Sequence, residues 1–357
     1  MFVEELKNST EWGDFLETAV ERTFFHSLKW KEVIEKSFSH QAVYLTIRNT
    51  NGKVVGICPG FVLKSGPFRI YASMPHSDFG GPVIDQSCAF EASSSLNLFF
   101  KRYCSEKGIS YAKISFTSDK ISRFFKSPLS YVDTSTGTME INLETTPAKY
   151  IWEKVFRKNQ RKKFRGYERK GLHVWHANTR SDLRKFYDLY CCNMNYIHVR
   201  PHSFSFFENM WKLLFPEIFS ILFVEKEKTI GGLAYFKYGG GIYGTYAAID
   251  RNRRDIRRYS VQPYVSWKLI KWAEENGFRH FSLGATSSNP IEEHHIQKLS
   301  VGCSFAQHER IFIPFSYNSQ VFLLGLKWIA STWRNMKGIL PTGFQNVIRT
   351  FAGEFIA

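Results

Sequence analysis

Apolar residues fall in short, dense runs over Ala42–Arg48, Val54–Leu63 and Phe68–Ser73, with Asn51-Gly52 between the first two. Asn-Gly between apolar runs is a strong hairpin signal, so these runs are expected to be strands. The stretch from Met74 to Pro82 (MPHSDFGGP) carries too much Gly and Pro for regular structure. A helix is expected around Phe90–Lys107, ending at Gly108, a residue type that caps helix C-termini; a strand follows at Tyr111–Phe116. The segment before about Ser39 reads as helices, with Trp12 and Trp30 as core anchors.

The same order returns later. Ile218–Val224, Thr229–Tyr238 and Ile242–Ile249 read as strands, with a hairpin turn at Glu225–Lys228. A helix over about Tyr259–Asn276 places Val261, Val265, Leu269, Trp272 and Ala273 on one face. Gly277 caps it, and His280–Leu283 is the next strand. Two local matches strengthen the parallel: Lys53-Val-Val-Gly56 with Lys228-Thr-Ile-Gly231, and Glu106-Lys-Gly108 with Glu275-Asn-Gly277. The pattern implies two copies of a β-β-β-α-β unit and excludes most single-sheet doubly wound folds.

Charge changes the picture further. The 357 residues carry 48 Lys+Arg against 32 Asp+Glu, a net of +16. Residues 1–145 hold 16 of each sign, so the whole surplus belongs to the second part. It concentrates at Arg157–Lys170, with eight bases and one acid, and at Arg251–Arg258, with five bases and one acid. Arg157, Arg161 and Arg165 repeat at helical spacing, where like charges repel, and a helix that accumulates such repulsion suits an anion. The second cluster lies between a strand and a helix, where free backbone N–H groups already favour phosphate. Local phosphate binding therefore explains the charge better than a uniformly basic coat. At 43% hydrophobic and 17% aromatic residues, the chain is neither disordered nor fibrous.

The six cysteines have no metal-type spacing, and reduced thiols in a cytosolic protein are expected. His294 and His295 follow Glu292 and Glu293, but further ligands at matching spacing are missing, so no metal is expected. The start MFVEELKNSTEW does not read as a signal peptide, and no window reaches the roughly 18 apolar residues of a membrane span. A cytoplasmic location is expected. The tail 317–357 alternates apolar and basic positions, as in Val321, Leu324, Lys327, Trp328, Trp333 and Arg334. Packing on the second unit is expected of it, with peripheral contact at the inner membrane face as the alternative.

Several stretches together resemble the acyltransferase fold of the GNAT superfamily, and within it the FemAB-like branch with two tandem units. Arg157-Lys-Asn-Gln-Arg-Lys-Lys-Phe, ending at Lys170-Gly171-Leu172, is similar to the basic helix that opens the second unit. Asn195–Pro201 with Phe206-Phe207 is similar to the linker and next helix. Leu283-Gly284-Ala285-Thr286 with Gln297-Lys298 and Gly302 resembles the closing segment, and Gly80-Gly81-Pro82-Val83 a loop of the first unit. The likeness spans roughly residues 40–315. The chain departs from the pattern in three places. The acyl-CoA loop at Arg254–Tyr259 has no glycine, Ala285 replaces an arginine, and Gln297 replaces a phenylalanine. No heptad pattern marks a coiled-coil arm.

The resemblance implies an α/β protein of two tandem GNAT-like units with mixed central sheets, divided at 1–145 and 146–316 with the tail 317–357. It implies an N-acyltransferase that moves an acyl or aminoacyl group to an amine of a phosphorylated cell-envelope or polysaccharide precursor. The donor would be acyl-CoA or aminoacyl-tRNA, with no further cofactor. Lys298 would stabilise developing negative charge, and Asp78 would position substrate or accept a proton. Arg157, Asn159, Arg161, Lys162, Tyr196 and Arg200 would contact the acceptor, and Arg254, Arg257 and Arg258 the donor's phosphates. A non-catalytic tRNA-binding module and a degenerate membrane-associated scaffold are the rival readings. No Walker loop, Rossmann fingerprint or nucleophile elbow is present.

Overall fold

The computed structural model describes residues 1–325 apart from 66–67, 79, 118, 198 and 253–259. The chain begins with β1 (Phe2–Glu5), α1 (Ser9–Thr18) and α2 (Leu28–Ser37). Five short strands follow: β2 (Gln41–Ala42), β3 (Leu45–Arg48), β4 (Val54–Cys58), β5 (Phe61–Ser65) and β6 (Phe68–Ala72). Next come β7 (Val83–Ile84), α3 (Ala89–Glu106), β8 (Tyr111–Phe116), α4 (Asp119–Ser122), β9 (Tyr131–Asp133) and β10 (Thr136–Asn142). Then α5 (Ala148–Tyr150), α6 (Lys158–Arg169), β11 (His173–His176), α7 (Arg180–Tyr196) and α8 (Phe204–Leu214) lead to β12 (Phe219–Lys226), β13 (Lys228–Tyr238) and β14 (Gly241–Ile249). The series closes with α9 (Val261–Glu275), β15 (His280–Ser287), α10 (Glu293–Leu299), β16 (Ser304–Gln307) and β17 (Glu309–Pro314).

These elements form two compact units, and the structure divides the chain differently from the contiguous blocks 1–145, 146–316 and 317–357. Unit 1 takes Met1–His26, His40–Thr134 and the described residues from His308 onward; unit 2 takes Ser27–Ser39 and Ser135–Gln307. Two segments cross the expected boundary. Helix α2 joins unit 2 because its Trp30, fully buried, packs edge-on against Phe206 and Phe236. Strand β17 joins unit 1 because it pairs with both β8 and β9 and is pinned there by the buried Arg310–Asp133 ion pair, at 2.7 Å. Strand pairing between residues far apart leaves no local signature, so both crossings escape a reading along the chain.

Unit 1 has two sheets, β1-β3-β4-β7 and β2-β5-β6-β8-β17-β9. The run Val54–Leu63, expected as one strand, is two strands. Pro59 has no N–H for a ladder, and Gly60 lies so close to the Tyr71 ring that a Cβ would come within 2.2 Å of it. The run Ala42–Arg48 is likewise divided, into β2 and β3. The hairpin at Asn51-Gly52 forms as read, with Gly52 at φ 79. The early part of the tail packs on unit 1 and not on unit 2 as expected: Phe322 stacks 4.5 Å from Phe68, Leu323 is buried, and Ser319 Oγ donates to the Ser110 carbonyl. Residues 326–357 lie outside the described residues.

Unit 2 is built on one seven-stranded mixed sheet, ordered β11-β12-β13-β14-β15-β10-β16. Its core joins the inner face of α9 (Tyr264, Val265, Leu269, Ala273) to Phe164 and Tyr167 of α6 and to Phe281 of β15. Helix α9 runs between β14 and β15, which pair in parallel, as a crossover helix requires. In unit 1, α3 runs in the same way between the parallel pair β6 and β8. The repeated β-α-β pattern read from the sequence is thus present in both units.

Candidate functional site

The most distinctive local geometry of unit 2 lies where β14 and β15 part. Their parallel register covers only Gly241–Tyr243 against His280–Ser282, although β14 continues to Ile249 and β15 to Ser287. Each strand carries an irregularity near the parting point. On β14 the register with β13 shifts between Tyr246 and Gly244, leaving Thr245 extra. On β15 the register with β10 shifts between Ala285 and Ser282, and Gly284 takes φ 69. Bulges increase local twist and re-aim a strand, and glycine enters the left-handed region without the steric cost of a Cβ. Beyond Tyr243 and Ser282 the two strands no longer pair with each other, and backbone groups freed in this way can pair with an extended, amide-bearing ligand as with an added strand.

Lys298 of α10 reaches this place. Its Nζ donates to the Ala285 carbonyl at 2.7 Å and to the Gly284 carbonyl at 3.3 Å. The two halves of the closing motif read from the sequence are therefore in direct contact. The half-buried lysine puts its positive charge beside the bulge. Next to it on α10, His295 is buried and its Nδ1 bonds to the Ser287 carbonyl at 2.9 Å.

A second group forms where β14 leaves the sheet. Buried Asn193 of α7 accepts from Arg251 Nε at 2.9 Å, while its Nδ2 lies 3.5 Å from the Ala247 carbonyl. The Arg251 guanidinium lies 4.8 Å from the Tyr196 ring centroid, a cation–π contact. Tyr196, expected to contact the acceptor, thus lies beside Arg251, whereas Arg200 is an exposed side chain beyond the helix. Arg254, Arg257 and Arg258 lie outside the described residues. Sequence reasoning passed over Asn193, because an asparagine inside an amphipathic helix gives no signal until its partner is known.

The basic helix α6 divides into different roles. Arg161 is spent on structure: its Nη1 donates to the carbonyls of Trp152, Glu153 and Phe156, which end the preceding helical turns. Arg165 lies over the Trp152 ring at 5.4 Å. Arg157, Lys158, Asn159, Lys162 and Lys163 are exposed. The helix is held beside α9 and α10: Tyr167 Oη accepts from the Ser260 N–H, and Gln160 donates to the Ser300 carbonyl. Arg157 and Lys162 are exposed, while Nη1 of Arg161 is taken by backbone carbonyls.

Asp78 belongs to unit 1, in the loop between β6 and β7. That loop is held under tension and clamped. Met74 and His76 have positive φ (46° and 62°), and His76 stacks on His40 with their Nε2 atoms 3.3 Å apart. Gly81 lies against strand β8, where a Cβ would come 2.2 Å from the Ser115 oxygen. His26, fully buried, accepts from the Thr23 N–H at Nδ1 and donates from Nε2 to the Gly81 carbonyl. Burial holds its imidazole well below the usual histidine range, at about 4. The loop that carries Asp78 is therefore fixed at its glycine end by a neutral histidine.

Burial pushes the Cys58, Cys104 and Cys303 thiols up to about 12, so none is a ready thiolate. Among the described residues no three His, Cys, Asp or Glu side chains converge as metal ligands. No described helix is long and apolar enough to cross a membrane.

Residues 154–292, within unit 2, match the family model described as an acetyltransferase (GNAT) domain. The crystal structure of FemX superposes with a TM-score of 0.68 at 14% identity, covering 91% of this chain and 99% of that one. L-PGS from Bacillus licheniformis gives 0.56 at 11% identity, covering 90% and 96%. A tandem GNAT protein from the clavulanic acid biosynthesis pathway gives 0.55 at 7% identity, covering 87% and 97%. At these identities the likeness is one of fold. No curated protein matches the chain significantly in sequence.

Proposed function

We propose that this tandem GNAT-fold chain, whose second unit carries a GNAT acetyltransferase-type domain, transfers an acyl or aminoacyl group to an amine. The acceptor in this reading is a phosphorylated cell-envelope or polysaccharide precursor, met on the cytoplasmic side. The observation that carries the reading is the parting of β14 and β15 at two bulges, with Lys298 bonded to the carbonyls of Gly284 and Ala285 beside it. The open edges would hold an extended donor, and the lysine charge would stabilise the oxyanion or a nearby phosphate. Exposed Arg157 and Lys162 would bind the acceptor's phosphates; for Asp78, in unit 1, substrate positioning or proton acceptance stays the expectation. Arg254, Arg257 and Arg258 would neutralise donor phosphates, with Arg251 held ready by Asn193. FemX and L-PGS as fold neighbours support an aminoacyl ester as donor beside an acyl thioester.

A ligand screen by thermal shift tests this directly, because binding stabilises only the native state. Coenzyme A thioesters, aminoacyl-tRNA and nucleotide-linked sugars form the panel. Stabilisation by one donor class and by a nucleotide-linked sugar is expected. Stabilisation by uncharged RNA of any sequence, with no response to the other ligands, would replace the reading with a nucleic-acid-binding module.

A further inference from the structure

We infer that His295 accepts the proton released when the acceptor amine attacks the donor carbonyl. This rests on the reading of the β14–β15 edge as the acyl-transfer site.

The ring is fixed in one tautomer. Nδ1 lies 2.9 Å from the Ser287 carbonyl, which only accepts, so Nδ1 carries the hydrogen. The basic lone pair of the neutral ring is therefore on Nε2. That nitrogen has no hydrogen-bond partner among the described residues, and it is not among the polar atoms sealed in the interior. Two other histidines of the interior differ. His26 uses both nitrogens, and His176 has its Nε2 sealed off. The His295 ring is also held in place, at 4% exposure and 5.3 Å from the Phe305 ring.

Position matches this chemistry. His295 and Lys298 are three residues apart on α10 and so share a face. Both bond to carbonyls of β15 past its parting from β14, at Ser287 and at Gly284 and Ala285. A base and a cation are thus ranged along one stretch of strand. On α10 itself the nearest basic group is Lys298; α9, which packs against α10, carries Lys268, Lys271, Glu274 and Glu275, and Glu140 of β10, the strand paired with β15, has its Oε1 taken by the Thr138 hydroxyl. Glu293 and His294 are exposed.

The step balances. The amine nitrogen bonds to the donor carbonyl carbon, and the C–S bond of a thioester or the C–O bond of an aminoacyl ester breaks. The amine's proton passes to Nε2, and from there to the departing thiolate or alkoxide.

Two measurements on the full-length protein decide the matter. Nitrogen-15 NMR of labelled histidines reads the tautomer, with the His295 signal assigned by its loss in His295→Asn. A hydrogen on Nδ1 and a bare Nε2 are expected; a hydrogen on Nε2 with Nδ1 bare would overturn the inference. His295→Asn keeps an N–H donor for Ser287 but removes the base. It should lower kcat/KM about 100-fold or more with the fold retained. Retention of the rate would overturn the role of His295 alone. If the wild-type protein transfers from neither thioester nor aminoacyl ester, the reading of the site falls, and the role falls with it whatever the NMR shows.

Discussion

The ammonium of Lys298 lies 2.7 Å from the carbonyl oxygen of Ala285, joining α10 to β15 where that strand bulges away from β14. A surface lysine would have no such bond. The contact closes the bulge and leaves a positive charge at the open strand edge. Lys298→Ala should therefore have two effects. Turnover should fall at least 100-fold through loss of charge stabilisation. Stability should fall by only about 1–2 kcal/mol, because water can reach the released carbonyls of a half-buried site. Turnover and the urea midpoint, measured on one preparation, check both. Full turnover would remove Lys298 from the chemistry.

Arg161 and Lys162 are neighbours with opposite fates. Arg161→Ala breaks three bonds to the carbonyls of Trp152, Glu153 and Phe156 and should cost roughly 2–3 kcal/mol. Lys162→Glu should leave stability within about 0.5 kcal/mol, as surface changes do, and raise KM for a phosphorylated acceptor. Chemical denaturation and steady-state kinetics separate the two. An unchanged KM in the Lys162 variant would assign that face of α6 to solvent.

His26 gives the protein a pH-dependent stability. Its folded-state value of about 4 lies below the ordinary histidine value, so the unfolded chain binds the extra proton first. The contribution is complete above the unfolded value and is lost as pH falls toward the folded one. Linkage gives a loss of about 2 kcal/mol between pH 7 and pH 5. His26→Gln should flatten that slope in denaturation midpoints taken across this range. An unchanged slope would show that His26 does not remain neutral between Thr23 and Gly81.

Gly81, in the same loop, packs against strand β8. An added Cβ would come 2.2 Å from the Ser115 oxygen of β8, and backbone cannot yield as a flexible side chain does. Gly81→Ala should cost roughly 3 kcal/mol, while Gly108→Ala tests a different cause, since nothing there lies within 4 Å and only its φ of 60° is strained. Thermal unfolding of both variants checks the ranking, with the Gly81 variant the less stable.

Much of this architecture is visible in the sequence for local reasons. Helix α3 ends at Gly108 as its cap requires, and Tyr111–Phe116 is a strand with the expected bounds. The Asn51-Gly52 turn and the helix over α9 follow from turn chemistry and 3.6-residue spacing. What escapes the sequence depends on distant partners. Strand β17 is defined by β8 and β9, and α2 by Phe206 and Phe236. The candidate site shows the same division. Lys298 and the Gly284 segment were legible as a motif, yet their contact was not. Asn193 and the fixed tautomer of His295 become visible only through Arg251 and Ser287. Arg161 carries charge in the sequence but spends it on carbonyls that only the fold supplies.

The central claim is that the open edge between β14 and β15 is an acyl-transfer site. A single-turnover reaction of the full chain tests it most directly, with isotope-labelled acyl-CoA in one arm, labelled aminoacyl-tRNA in the other, and an amine-bearing nucleotide-linked sugar or peptide as acceptor. Mass spectrometry of the acceptor should show the labelled group on its nitrogen in one arm with the wild-type protein, and its loss with Lys298→Ala. No label on the acceptor in either arm, from a chain that binds both donor and acceptor, would contradict the account.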